Sequence, residues 1–243
     1  MDTITNNFDF CKQNKNSEKE EFWNQYLAGL INGDGTLLIS KLGYASLEIT
    51  MDISDEHALQ KIKQVLGGSV KARTNAKAFR YRVHHKKGIL DLISRINGKI
   101  RQTNRKVQLE KICNLYDIAC QPLSMLTQQN GWFAGFFDAD GSLGFSLKKG
   151  WPQLVISAAQ KNHVDLLPFQ EVFGGIIRLD KRSNAFKWEI YTEKSILNFY
   201  YYCQKHPLHS HKKKRMFLVP RFFELRKIRA YRFDASPSLK KHG

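Results

Sequence analysis

The chain has 243 residues, with 39 Lys and Arg against 22 Asp and Glu, and a formal net charge of +17. At 42% hydrophobic and 12% aromatic it has the apolar content for a buried core, which excludes a low-complexity or disordered protein. No apolar run approaches the roughly 18–20 residues of a membrane-spanning helix, so a membrane helix protein is excluded too, and the surplus of cations calls for a polyanionic partner.

Taken in chain order, residues 1–20 are polar, include Asp2, Asp9, Glu18 and Glu20, and have no apolar h-region. They are expected to form a polar, mobile leader rather than a signal or transit peptide. Phe22 to Asn32 predicts a helix ending in a Gly-rich turn. Alternation at Leu47, Ile49, Met51 and Ile53 predicts a strand, and Leu59, Ile62, Val65 and Leu66 an amphipathic helix closed by Gly67-Gly68. Two strands, about Ser69–Thr74 and Phe79–His84, lead to a further helix. A linker over 121–129, containing Pro122, follows. The pattern then starts again: a helix from a few residues before Trp132 to Asp138, a strand alternating at Leu143, Phe145 and Leu147, a helix with Leu166, Leu167, Phe169 and Val172, and strands at Ile176–Asp180 and Phe186–Tyr191. Cys11, Cys113, Cys120 and Cys203 contain no CxxC pair and no accompanying His spacing, so a zinc site is not expected.

The recurrence extends to the residues themselves. Leu27-Ala28-Gly29-Leu30-Ile31-Asn32-Gly33-Asp34-Gly35 matches Phe133-Ala134-Gly135-Phe136-Phe137-Asp138-Ala139-Asp140-Gly141 at an offset of 106. Val65-Leu66-Gly67-Gly68 matches Val172-Phe173-Gly174-Gly175, and Ala78 to Val83 matches Ala185 to Ile190, both at 107. Three blocks in one order make the chain two copies of one unit. The first copy is set at 21–120 and the second at 130–243. Each reads α-β-β-α-β-β-α, so the class is α+β with antiparallel sheets.

Period-2 alternation assigns the faces of each sheet. With Leu47, Ile49 and Met51 inward, Ser46, Glu48, Thr50 and Asp52 point outward. Val70, Ala72, Tyr81 and Val83 then point in, and Lys71, Arg73, Arg80, Arg82 and His84 out. In the second copy Arg178, Asp180, Lys187, Glu189 and Tyr191 face outward. Arg and Lys suit guanine and phosphate, and carboxylates accept from cytosine N4, so this surface suits groove reading. Ser40 and Lys41 in the first copy and Lys148 in the second extend it.

The two motif helices are apolar all round and carry Gly29 and Gly135 in mid-helix, at about 1 kcal/mol each relative to alanine. Close backbone approach is a physical use for that cost, so the two helices are expected to pack along Ala28/Gly29 and Ala134/Gly135. Asp34 and Asp140 would then come together at the negative ends of two helix dipoles. A divalent cation relieves both conflicts, and oxygen ligands favour Mg²⁺ over zinc.

Both blocks resemble the motif of the LAGLIDADG homing endonucleases in their single-chain, two-motif form, over nearly the whole chain from Phe22. The resemblance implies a monomer without an obligate protein partner, in which two αββαββα units form a saddle of antiparallel sheets over double-stranded DNA, with the motif helices at its centre. It implies that Asp34 and Asp140, helped by the carbonyls of Gly33 and Ala139, hold the catalytic Mg²⁺, with Mn²⁺ or Ca²⁺ as alternative occupants. It implies a staggered double-strand break in a long, pseudo-palindromic target, and an intron-encoded protein of an organelle. The family also places one polar and one basic side chain in each half. Gln160 fits the polar role in the second copy, with Asp52 or Asp55 as its counterpart. Lys212 or Lys213 fits the basic role there, and Arg101 or Arg105 in the first copy. The alternative from another class is an intron maturase, an RNA-binding splicing cofactor on the same fold; a third is a non-cutting DNA-binding regulator.

Overall fold

The structure, a computed structural model, describes residues 3–148 and 150–232, with side chains described from residue 17 onward. Asp2, the side chains of Asp9 and Cys11, and the last residues of the expected second copy, 233–243, lie outside the described residues. The chain divides into two compact units, Met1–Ala139 and Asp140–Gly243.

The first unit runs α1 (Thr3–Asp34), β1 (Gly35–Ile39), β2 (Ala45–Asp52), a 3-10 turn (Ile53–Asp55), α2 (Glu56–Leu66), β3 (Ser69–Ala72), β4 (Ala78–Val83), α3 (Lys86–Ile96) and α4 (Thr103–Leu115). Helix α5 (Trp132–Asp140) closes it, all but its last residue belonging to this unit. The second unit runs β5 (Gly141–Lys148), β6 (Trp151–Gln160), a 3-10 turn (His163–Leu166), α6 (Leu167–Phe173), β7 (Ile176–Asp180), β8 (Ala185–Ile190), α7 (Glu193–Lys205), α8 (Lys212–Phe217) and α9 (Val219–Lys227). Each unit has a four-stranded antiparallel sheet, in the order β1-β2-β4-β3 and β5-β6-β8-β7.

The repeat is therefore structural. In unit 1 Leu47, Ile49, Met51, Tyr81 and Val83 face Leu59 and Ile62 of α2 and Ile89, Leu92 and Ile96 of α3, all buried. In unit 2 the matching layer is aromatic. Phe169 and Phe173 of α6 pack on Trp188 of β8, at ring-centroid distances of 4.9 and 6.4 Å, and Phe199 of α7 stands 5.0 Å from Phe173. The Gly-Gly turns do one job twice. All four glycines have positive φ. The carbonyl of the first accepts a hydrogen bond from the core aromatic of the neighbouring strand, Tyr81 Oη to Gly67 at 3.0 Å and Trp188 Nε1 to Gly174 at 2.7 Å.

Several expectations need correction. The first helix begins at Thr3, so the stretch read as a mobile leader is helical. No Gly or Pro interrupts it before Gly29, and its Glu, Lys and Gln are good helix formers. Helix α5 starts at Trp132 and not earlier, because Asn130 Oδ1 accepts the Trp132 amide at 2.9 Å and fixes the end there. Each sequence copy ends in more than one helix, α3 and α4 in the first and α7, α8 and α9 in the second among the described residues. Ala72 is exposed, since β3 is a four-residue edge strand. Of the three alternating apolar residues on β5 only Leu143 is buried, while Phe145 and Leu147 are 72% and 66% exposed. The segment 116–129, which contains the expected linker at 121–129, carries no helix or strand and is strapped to unit 1. Asn97 bonds both the Ala119 carbonyl and the Gln121 amide at 2.9 Å, and the Ser124 amide donates to the Gly98 carbonyl at 3.2 Å.

Candidate active site

Helices α1 and α5 meet backbone to backbone. A Cβ on Gly29 would collide with the Trp132 carbonyl and stand 2.7 Å from the Phe136 nitrogen. A Cβ on Gly135 would collide with the Tyr26 carbonyl and stand 2.8 Å from the Leu30 nitrogen. Trp132 and Phe136 lie 106 residues beyond Tyr26 and Leu30, so exchanging the two helices leaves the contact unchanged. That is the glycine-mediated packing read from the repeat.

Each helix ends on the expected acid, Asp34 for α1 and Asp140 for α5. Both carboxylates, and Gly33 and Ala139 before them, are half-buried. A strand starts at the next residue in each case. Glycine is needed at Gly35, because a Cβ there would stand 2.6 Å from the Ile31 Cα. In unit 2 Gln160, the last residue of β6, donates from Nε2 to Asp140 Oδ2 at 2.6 Å. This is a charge-assisted bond that fixes the carboxylate's orientation.

Unit 1 differs. Ladder register puts Gln160 opposite Phe186 and Met51 opposite Phe79, so the strict counterpart of Gln160 is a buried methionine. Of the two acids proposed for that place, Asp52 is exposed and caps the following turn, its Oδ1 accepting from the Ser54 amide at 2.9 Å. Asp55 is buried at 3% exposure. It acts on Tyr26, whose phenol is held well above its ordinary pKa by burial, then by the charge and hydrogen bond of Asp138, then by Asp55 and Asp34. The Tyr26 hydroxyl donates to Asp138 Oδ2 at 2.8 Å, and both residues are buried. In unit 1, then, Asp55 is the acid placed with the motif.

Sequence reading gave no role to the other polar position of the motif, Asn32 and Asp138, though it recurs at the same offset. Asn32 is 1% exposed, and its Oδ1 accepts the Arg101 amide at 2.8 Å and the Gln102 amide, tying the segment before α4 to the motif helix. Arg101 is thereby fixed next to the motif, with its guanidinium on the Ser124 carbonyl and hydroxyl and lowered in pKa by burial. Arg105 bonds Gln108 at 3.3 Å. Lys212 opens α8, half-buried, with its amide on Ser210 Oγ at 3.3 Å.

On the sheets Ser40, Lys41, Lys71, Arg73, Arg82, His84, Lys148, Arg178 and Tyr191 are exposed, and Glu48, Thr50, Arg80 and Lys187 half-buried. Glu48 on β2 bridges Arg80 and Arg82 on β4, at 3.6 and 3.3 Å. Glu189 corrects the reading. It shares the outward face with Lys187, yet is only 4% exposed, enclosed by Arg178 and by Lys187 at 3.2 Å. Asp180 likewise holds its own hairpin: its carboxylate accepts the Arg182 amide at 3.0 Å, and this bond, with those from Ser183, lowers its pKa. Ser46, expected outward, is buried at 5%. Among the described residues no three His, Cys, Asp or Glu side chains gather into a metal cluster.

The LAGLIDADG endonuclease family model matches residues 27–116 and 133–222. The chain is 38% identical over 94% of its length to the "Probable intron-encoded endonuclease aI2" of Debaryomyces hansenii and covers 37% of that protein. It is 43% identical over 90% of its length to the "Intron-encoded RNA maturase bI4" of Saccharomyces cerevisiae, covering 35% of it. With the "Intron-encoded DNA endonuclease ai2a" of Dictyostelium discoideum it shares 35% over 88%, covering 72%. The chain thus spans about a third of the length of the first two of these curated relatives. Its fold matches the I-LtrWI LAGLIDADG homing endonuclease, solved bound to target DNA, with a TM-score of 0.67 at 17% identity, covering 92% of this chain and 97% of that one. Two family matches on two structural copies, each with its acid at the end of a motif helix, leave one conclusion: the chain belongs to the LAGLIDADG endonuclease family.

Proposed function

We propose that this chain is a site-specific DNA endonuclease that makes a metal-dependent, staggered double-strand break in a long, pseudo-palindromic duplex. The observation that carries this reading is the repeated half-site: a helix packed through glycine onto its counterpart and ended by a half-buried aspartate. The copies set at 21–120 and 130–243, joined by 121–129, would each read half of the target as parts of one monomer.

The donors fit a hard divalent cation. Asp34 with the Gly33 carbonyl, and Asp140 with the Ala139 carbonyl, offer oxygen alone, as suits Mg²⁺, whose remaining ligands would come from water and phosphate. When bound, Mg²⁺ supplies Lewis-acid polarisation of the phosphate and a more acidic water. Gln160 holds Asp140 in one orientation and keeps a second amide hydrogen for a water beside the phosphate. Asp55 has no such donor, so the halves would differ in how they order water. Arg101, preset by Asn32, and Lys212 are the cations for the phosphate backbone. The exposed Lys and Arg of both sheets would contact phosphates and base edges, with Glu48 and Glu189 fixing their neighbours' orientation.

The intron-encoded relatives support an origin in an organellar intron. The relative named an RNA maturase favours a second reading, a splicing cofactor on the same fold, which splicing of the host intron with and without the protein would test. For the nuclease, the chain is incubated with a random duplex library and Mg²⁺, and the cut ends are sequenced. One preferred site with short 3′ overhangs, lost on chelation, is expected. No cleavage with Mg²⁺ or Mn²⁺ overturns the reading.

A further inference from the structure

The sheet face does not use the densest charge of the molecule. Residues 212–232 carry nine Lys and Arg and one acid, Glu224. They form α8, α9 and the turn after it, on the helix side of the unit 2 sheet. Leu143 and Leu154, on the core face of that sheet, line a recess with Arg215, Leu218 and Phe222, whereas Lys187 and Glu189 lie on strand positions facing the other way. Lys187 and Glu189 thus face away from α8 and α9, while Trp151, opposite Lys148 at the start of β6 and lining the α9 cavity, stands at the edge where the two surfaces meet.

The surface is shaped as well as charged. A cavity of about 660 Å³ beside α9 is lined by the apolar Trp151, Leu197 and Phe223 and by Arg226, Lys227 and Arg229. Trp151 is 50% exposed and rests against Tyr231, with ring centroids 5.7 Å apart at 52°. Two acids line the same cavity. Glu224 pairs with Arg221 at 3.0 Å, and Glu193 opens α7, where the helix dipole favours it. None of Arg226, Lys227 and Arg229 forms an ion pair among the described residues. On the other side of α9, Phe222 and Phe145 line the second recess, of about 580 Å³. Around it Phe145, Phe217 and Leu218 are 72%, 57% and 62% exposed.

We infer that the α8–α9 surface of unit 2 binds an unpaired nucleic-acid strand, with phosphates on Arg226, Lys227 and Arg229 and a base stacked on Trp151. Apolar recesses edged by unpaired guanidinium and ammonium groups match the two halves of a nucleotide. Base stacking on an aromatic face needs an unstacked base, which duplex DNA does not offer. An acidic protein would satisfy the charges but leave the open Trp151 face without a reason. The inference does not rest on the nuclease reading: either can fail alone.

The test uses the full chain and three fluorescent probes of one sequence: an unstructured RNA of about 16 nucleotides, the same strand as DNA, and its duplex. Binding is followed by anisotropy across a salt series for Trp151→Ala and for the triple variant Arg226→Glu, Lys227→Glu, Arg229→Glu. Trp151→Ala is expected to weaken single-strand binding about tenfold, to weaken duplex binding far less, and to leave the salt slope unchanged. The triple variant is expected to lower the single-strand salt slope by about 2, at roughly 0.7 per phosphate. Preference for RNA over the DNA strand identifies an RNA partner, and equal binding a general single-strand site. Single-strand affinity unchanged in both variants, or lost in proportion to duplex affinity, overturns the inference. Cleavage by wild type and variants, measured alongside, reports on the nuclease separately.

Discussion

Replacing Gly29 by alanine should expose how the two motif helices are held. On helix propensity alone the change stabilises by about 1 kcal/mol. The structure reverses the sign. The new methyl would occupy the position of the Trp132 carbonyl and press on the Phe136 nitrogen at 2.7 Å, where contacts under 3.0 Å are essentially unknown. Both obstacles are backbone, so no rotamer relieves them and the helices must separate. Around the contact Leu27, Ala28, Leu30, Ile31, Phe133 and Phe136 are at most 1% exposed. A gap of about 1 Å there forfeits a quarter to a half of the local dispersion energy. Overpacking costs about 1–3 kcal/mol when side chains can yield, and more here, so a net loss of about 2–4 kcal/mol is expected. Urea unfolding reads it as a lower midpoint with an unchanged slope. Gly135→Ala should do the same, and the double variant should cost less than the sum, because one separation accommodates both methyls. An equal or higher midpoint for Gly29→Ala, or full additivity, would refute the packing argument.

Gln160→Ala removes the amide that orients Asp140 and should slow cutting of one strand about tenfold or more, at about 1.5–3 kcal/mol for a bond to a charged group, so that nicked duplex accumulates on a gel. Tyr26→Phe takes the hydroxyl from buried Asp138 and should lower stability by about 1.5–3 kcal/mol in the same urea titration; an unchanged midpoint contradicts a structural role for that bond. Burial and the neighbouring Cys120 push the Cys113 thiol up to about 12. At pH 8 mass spectrometry should therefore find exposed Cys120 alkylated well before Cys113.

What the sequence made legible was whatever repeats. The offset of 106 gave the paired helices and both terminal acids, and strand alternation placed most outward cations correctly. What stayed hidden depends on partners far along the chain. Glu189 alternates like a surface residue and is buried only because Arg178, a strand away, folds over it with Lys187. Asp52 and Asp55 are equally plausible by spacing, and the 3-10 turn between them exposes one and buries the other. Phe145 and Leu147 alternate like core residues but are exposed, and so is Ile39 at the place on β1 that matches Phe145; both β1 and β5 are edge strands, where alternation alone does not secure a covering layer.

The most direct measurement is strand-resolved cleavage of the selected duplex by Asp34→Asn, Asp140→Asn and the double variant, with duplex affinity measured in parallel. Each substitution keeps the size of the side chain and removes one negative oxygen donor. If these two acids hold the catalytic cations, each single variant fails to make double-strand breaks, the double variant cuts neither strand, and all three still bind the duplex. Double-strand breaks at the wild-type rate from both single variants would contradict the assignment.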